Sequence, residues 1–401
     1  MRVPRSPRPT TAALAALALG AALLLAASGC GKSASTTGSG SGSPATTPGR
    51  HGAAALATKN TTRLGGSDPA GDAAAVALAV YPGLTAATRP QAVVLVEEGD
   101  WPAALSASTL AGLPLHAPLL YTNAHGLPAA SASALAAMRP TGAASVEGAQ
   151  AITLGDAPAP TGYGSRSVRA GDSAALAVSI EQLASALRKR APIRVIVTAL
   201  DAPPAMTMPA AGLAAESGTS ILLVERSRVP RATAVELRRL GHPSIYIVGP
   251  TSVVSGQVER ELGAFGPVSR IDGGSDPAGN SVAVARYSDG SFGWGAVEPG
   301  HGIVFANAQR PLDGPAAAPL AATGDYAPLL VLENAEALPA AVSAYLSDLQ
   351  PGTPPTGPVH GVYNHGWLIG DESAISATTQ ARLDAILQIS PRPATEAEAG
   401  A

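Results

Sequence analysis

Short apolar runs that do not alternate with polar residues recur along the chain, and Ala-rich stretches lie between them. One set is Ala92-Val93-Val94-Leu95-Val96, Ile193-Arg194-Val195-Ile196-Val197 and Gly302-Ile303-Val304-Phe305-Ala306. A second is Ala117-Pro118-Leu119-Leu120, Ser220-Ile221-Leu222-Leu223 and Ala327-Pro328-Leu329-Leu330. A third is Ala151-Ile152-Thr153-Leu154-Gly155, Ile245-Tyr246-Ile247-Val248-Gly249 and Gly366-Trp367-Leu368-Ile369-Gly370. Strands that are apolar on both faces belong to parallel sheets covered on both sides, so each run predicts a buried strand.

Helical segments are predicted between these strands. Leu127-Pro128, Val229-Pro230 and Leu338-Pro339 put proline where a helix begins and a missing N–H costs nothing. The hexapeptide Gly66-Ser67-Asp68-Pro69-Ala70-Gly71 returns as Gly274-Ser275-Asp276-Pro277-Ala278-Gly279, each before an apolar helical stretch. A weaker copy aligns Gly171-Asp172-Ser173-Ala174 with Gly71-Asp72-Ala73-Ala74, which gives spacings of 100 and then 108 residues. Such recurrence marks an internal repeat. Each unit reads helix, strand, helix, strand, helix, strand. The second and third add a final helix over 255–262 and 374–387, whereas Gly155 runs straight into Asp156-Ala157-Pro158. The expected fold is α/β: three tandem small three-layer α/β modules with parallel sheets, over 60–160, 161–267 and 268–390.

The ends read differently. Arg2, Arg5 and Arg8 precede an apolar stretch from Ala12 to Ala27 and then Ser28-Gly29, the layout of a signal peptide over 1–29. Leu25-Ala26-Ala27-Ser28-Gly29-Cys30 resembles a bacterial lipobox, which implies cleavage before Cys30, lipidation of its thiol and a palmitate-type anchor. Cys30 is the only cysteine of the 401 residues, so no disulfide and no Cys-based metal site is expected. Residues 30–59 are rich in Gly, Ser and Thr, a composition that buries too little apolar surface to order itself and predicts a flexible linker. Residues 391–401 are expected to be a disordered tail.

The formal net charge of -3 becomes -6 once the three signal-peptide arginines are removed, which argues against nucleic acid as a partner. Only 14% of residues are charged and 46% are apolar, as suits close-packed α/β modules.

Four quoted segments add a family resemblance. Arg63-Leu64-Gly65-Gly66-Ser67-Asp68, Trp101-Pro102-Ala103-Ala104-Leu105, Ala117-Pro118-Leu119-Leu120 and Ile245-Tyr246-Ile247-Val248-Gly249 through Ser255 follow one another as motifs of the cell wall-binding repeat 2 family do. The resemblance spans roughly residues 63–387. It implies three modules arranged as a pseudo-trimer and non-covalent attachment to an anionic polymer of the Gram-positive envelope.

Candidate chemistry is sparse. The Gly-Gly-Ser-Asp-Pro-Ala-Gly segments read as helix caps, since an Asp or Ser cap before proline is ordinary helix-start chemistry and Asp68 and Asp276 would repel an anion. Arg63 and Arg270 are the better candidates for an anion, with pairing to a neighbouring carboxylate as the alternative for either, and Trp101 and Trp294 are candidates for stacking on a sugar ring or for packing. His360 and His365 lack the spacing of metal ligands and read as loop residues. Gly38-Ser39-Gly40-Ser41-Gly42 matches a nucleophile motif but falls in the linker, and no metalloprotease, phosphate-loop or dinucleotide motif is present. No enzymatic activity and no cofactor are expected.

The expected protein is therefore a monomeric lipoprotein with an internal pseudo-threefold. It is tethered to the outer face of the cytoplasmic membrane and binds anionic cell-wall polymer or peptidoglycan. Two other readings stand beside it: a solute-binding lipoprotein of an importer, with two lobes around one cleft, and an envelope hydrolase without recognisable motifs.

Overall fold

The nine apolar runs form parallel strands of three separate sheets, three to a sheet, with the second run of each repeat at a sheet edge. The computed structural model describes residues 56–323, 326–353 and 362–391. The expected signal peptide, Cys30, all but the end of the expected linker, His360 and all but the first residue of the expected tail lie outside the described residues.

The first sheet runs Leu119–Thr122, Val93–Glu97, Ala151–Leu154, Ser165–Val168. The second runs Ser220–Val224, Arg194–Ala199, Ser244–Val248, Val268–Ile271. The third runs Leu329–Leu332, Gly302–Asn307, His365–Ile369, Thr61–Leu64, with Leu56–Ala57 added antiparallel at its edge. Helices cover the sheets, and the result is the expected three-layer α/β module in three copies. Leu95, Ile196 and Phe305 on the central strands are fully buried. Burial of each such side chain stabilises by about 1.5–3 kcal/mol.

Sheet membership departs from the repeat boundaries by one strand. The sequence pattern misses Thr61–Leu64, Ser165–Val168 and Val268–Ile271, which open the three repeats. They are short, interrupted by polar residues and lie at or next to a sheet edge, so they carry no continuous apolar run. Ser165–Val168 pairs with Ala151–Leu154 of the preceding repeat, and Val268–Ile271 with Ser244–Val248. Thr61–Leu64 has no preceding repeat and closes the cycle by pairing parallel with His365–Ile369 of the last one.

The helix after each opening strand then crosses to the next module. Pro69–Val80 packs on Asp313–Ala322 of the third module and on Leu119–Thr122 of the first. Ser173–Arg188 joins first to second in the same way, and Pro277–Arg286 joins second to third. All three helices are capped alike: Asp68, Asp172 and Asp276 accept from the backbone N–H of Gly71, Ala175 and Gly279 at 2.7–2.8 Å. These caps correct the weaker repeat alignment by about one helical turn. Asp172 corresponds to Asp68, not to Asp72, because position in the helix and not the local Gly-Asp string sets the register.

At the centre, the Trp101–Ala111, Pro209–Ser217 and Asp313–Ala322 helices pack on one another as a pseudo-trimer. Ala111, Ala215, Ala318 and Ala321 meet there, and small side chains permit the close approach.

Candidate functional site

Arg63 and Arg270 occupy equivalent positions on opening strands, and the fold uses both internally. Arg63 is 5% exposed. Its five N–H groups reach Gly370 O, Asp371 O, Ile375 O and Gln380 Oε1, the last twice. Arg270 repeats the arrangement on Gly249 O, Val254 O and Glu259 Oε2. Each guanidinium ties the end of a sheet strand to the helix that follows. The first module lacks that helix, and Ser167 stands at the corresponding strand position. These arginines are therefore clamps, with few donors left for a polymer.

Trp294 lies in the loop before Gly302–Asn307 and packs against the axial alanines, its indole N–H buried. Trp101 starts the first module's central helix, is half-buried, and lines a cleft beside the third module. His365 belongs to a strand and not a loop; its Nε2 lies 3.0 Å from Thr62 Oγ1 and its ring edges against Trp367.

A basic groove of about 260 Å³ lies between the first and second modules. The Ser173–Arg188 helix ends there, Lys189 adopts a left-handed cap, and the chain turns through Arg190 into the strand that begins at Arg194. Arg188, Arg190 and Arg194 line it together with Leu113 and Ile193, which are 64% and 71% exposed. None of Arg188, Lys189, Arg190 and Arg194 forms an ion pair among the described residues. Arg188 donates to Gly218 O and, at 2.9 Å, to Ser220 Oγ, while its buried Nε–H has no acceptor among the described residues. Burial, and after it the neighbouring Arg190, pull the Arg188 pKa down against the attraction of Glu181. A group of cations that repel one another and form no ion pair among the described residues, with Glu181 acting on Arg188 only from beyond contact distance, favours an anion in electrostatic terms.

The seam between the third and first modules has the opposite character. Arg310 contacts Asp72 Oδ2, lies 3.3 Å from Asp313 Oδ2 and 3.5 Å from Asp371 Oδ1. Asp72 and Asp313 are fully buried. Burial raises the Asp72 carboxyl to about 6 against the pull of Arg310. Burial first, and the adjacent Asp72 charge second, push Asp313 well above the usual carboxylate range. Neither Asp313 oxygen accepts a hydrogen bond, despite the short approach of Arg310. A protonated Asp313 beside an ionised Asp72 resolves that arrangement, since two adjacent buried carboxylates cannot both ionise cheaply.

Comparison with solved structures places the architecture. The chain is similar to "Cwp6 from Clostridium difficile", with a TM-score of 0.64 and 16% identity over 87% of this chain and 53% of that one. It is likewise similar to "Cwp8 from Clostridium difficile", with a TM-score of 0.62 and 17% identity over 82% of this chain and 52% of that one. The shared property is the fold. This chain spans about half the length of either structure. No protein-family model and no curated protein matches it.

Sequence reasoning passed over the groove. Its signal was present: Arg188-Lys189-Arg190 with Arg194 is a dense basic cluster in a chain of negative net charge. A basic run at a helix C-terminus also has the ordinary role of complementing the helix dipole. The lack of ion pairs to this cluster among the described residues, visible only in three dimensions, separates the two roles.

Proposed function

We propose that this protein is a cell-envelope binding lipoprotein, held to the outer face of the cytoplasmic membrane through Cys30 and adhering non-covalently to an anionic wall polymer. The role is binding and not catalysis. The observation that carries the reading is the unpaired arginine groove between the first and second modules, which offers an anionic chain several cations at once. Support for the location comes from the likeness of the fold to the cell wall proteins Cwp6 and Cwp8. The signal-peptide and lipobox patterns at residues 1–30 support the tether. A mature charge of -6 opposes a polyanion at long range, so binding depends on the local cluster and on screening within roughly 10 Å.

Retention of the purified protein on isolated cell walls tests the binding, with and without divalent cations. Retention is expected to fall as salt rises and to fall further when Arg190→Ser and Arg194→Ser are combined. Retention no greater than that of an unrelated domain under every condition sinks the reading. Cys30→Ser is expected to abolish palmitate labelling and release the protein from membranes.

A further inference from the structure

The cleft that Trp101 lines measures about 410 Å³ and opens between the third module and the first. It lies outside the C-terminal ends of adjacent strands Gly302–Asn307 and His365–Ile369, where the order of the third sheet reverses. Parallel α/β sheets bind ligands at that point, because loops leaving neighbouring strands in opposite directions open a crevice. Gln309 comes from the loop after one of these strands and Ser373 from the loop after the other. Ser67 and Pro69 come from the start of the bridging helix, and Glu98 and Trp101 from the first module.

Trp101 is well mounted for recognition. Asp100 caps its helix by accepting from Ala103 N at 3.0 Å, and the ring packs against apolar clusters of two modules. The ring is thereby held by packing while part of it lines the cleft, and the other two tryptophans bury their indole N–H groups. A fixed indole face matches the apolar C–H face of a pyranose, and the surrounding Ser, Gln and Glu side chains match its hydroxyls.

The charge around the cleft selects further. Arg310 in its wall is committed to Asp72, Asp313 and Asp371. Glu98 faces the cleft with Asp68 close by, and burial and that neighbouring charge hold the Glu98 carboxyl above its ordinary range. The wall thus repels carboxylate and phosphate, in contrast to the arginine groove.

We infer that the Trp101 cleft at the seam of the third and first modules is a saccharide site that takes a non-anionic pyranose residue by stacking on Trp101 and hydrogen bonding to Glu98, Gln309 and the flanking serines. The inference stands apart from wall adhesion, which concerns the arginine groove and has its own readout.

Titration of the full protein with maltotriose and with tri-N-acetylchitotriose, followed by calorimetry and tryptophan fluorescence, tests it; tri-galacturonate is the anionic probe. At least one neutral trisaccharide is expected to bind and tri-galacturonate to bind more weakly. Trp101→Ala should weaken binding roughly tenfold or more, since truncating a buried aromatic anchor removes the main contact. Trp101→Phe keeps an aromatic face and should bind within a few-fold of the parent, and Glu98→Ala, away from the helix packing, should weaken binding. Arg190→Ser with Arg194→Ser should leave sugar binding unchanged. Absence of binding by both neutral probes at about 10 mM, the weak end of useful affinities, overturns the inference. So does binding that is indifferent to both Trp101→Ala and Glu98→Ala, or a preference for tri-galacturonate.

Discussion

Arg63 donates two hydrogen bonds to the side-chain oxygen of Gln380, 317 residues further along the chain. One residue sits on the strand that opens the first repeat and the other on the helix that ends the third. Their contact closes the cycle of three modules, because the first strand belongs to the last sheet.

Replacing Arg63 by Ala leaves four acceptors without their donor, three of them buried and Asp371 O part-buried. A loss of about 3 kcal/mol is expected, from the cost of unsatisfied buried groups and the lost packing. Arg63→Lys should recover little, because an ammonium cannot offer five donors in a planar fork. Arg270→Ala should cost less, about 1–2 kcal/mol, since its partner Glu259 is 34% exposed and can be rehydrated. Urea unfolding of the three variants checks the order.

Deleting residues 56–64 removes the outer strands of the third sheet and bares one edge of His365–Ile369. An open, mostly apolar edge recruits other chains. The deletion is expected to lower the melting midpoint and to increase light scattering on warming. A melting curve and scattering equal to those of the parent would contradict the closure role.

Asp72 and Asp313 make stability depend on pH. Both carboxyls bind their protons more tightly in the folded protein than in the unfolded chain. Their contribution is therefore greatest at acid pH and is lost as pH rises through about 6 for Asp72. Asp313→Asn keeps the shape without the charge. It is expected to raise stability at pH 7.5, on the order of 1–3 kcal/mol, with little change at pH 4. Urea midpoints of parent and variant at the two pH values give the difference, and a variant weaker at both would refute the proton-sharing account.

The axial helices give a paired test of packing. A Cβ on Gly212 would lie 3.6 Å from Ala321 Cβ and 3.8 Å from Trp294, ordinary contact distances. Gly212→Ala is therefore expected to stabilise by about 0.5–1 kcal/mol, the usual gain for replacing glycine inside a helix. Ala215→Leu, one helical turn along and buried among the alanines, should cost about 1–3 kcal/mol by overpacking. Scanning calorimetry distinguishes the two signs.

The repeat, the parallel strands and the helix caps were legible in the sequence because each depends on near neighbours. Val93 to Val96 need both faces covered wherever they lie, and Asp68 caps its helix through a residue three places on. The opening strands and the roles of Arg63 and Arg270 were not legible. An edge strand such as Ser165–Val168 has no pattern of its own, and an arginine reads alike whether its partner is a polymer or a carbonyl on a distant loop.

By itself, then, the order of residues determined the local units and their number, since hydrophobic periodicity and capping act over a few positions. Only the tertiary structure decided which strand completes which sheet, which cations keep free charge, and where the crevices open. Those outcomes depend on contacts between residues hundreds of positions apart, and burial and counter-ion pairing have no value until such contacts exist.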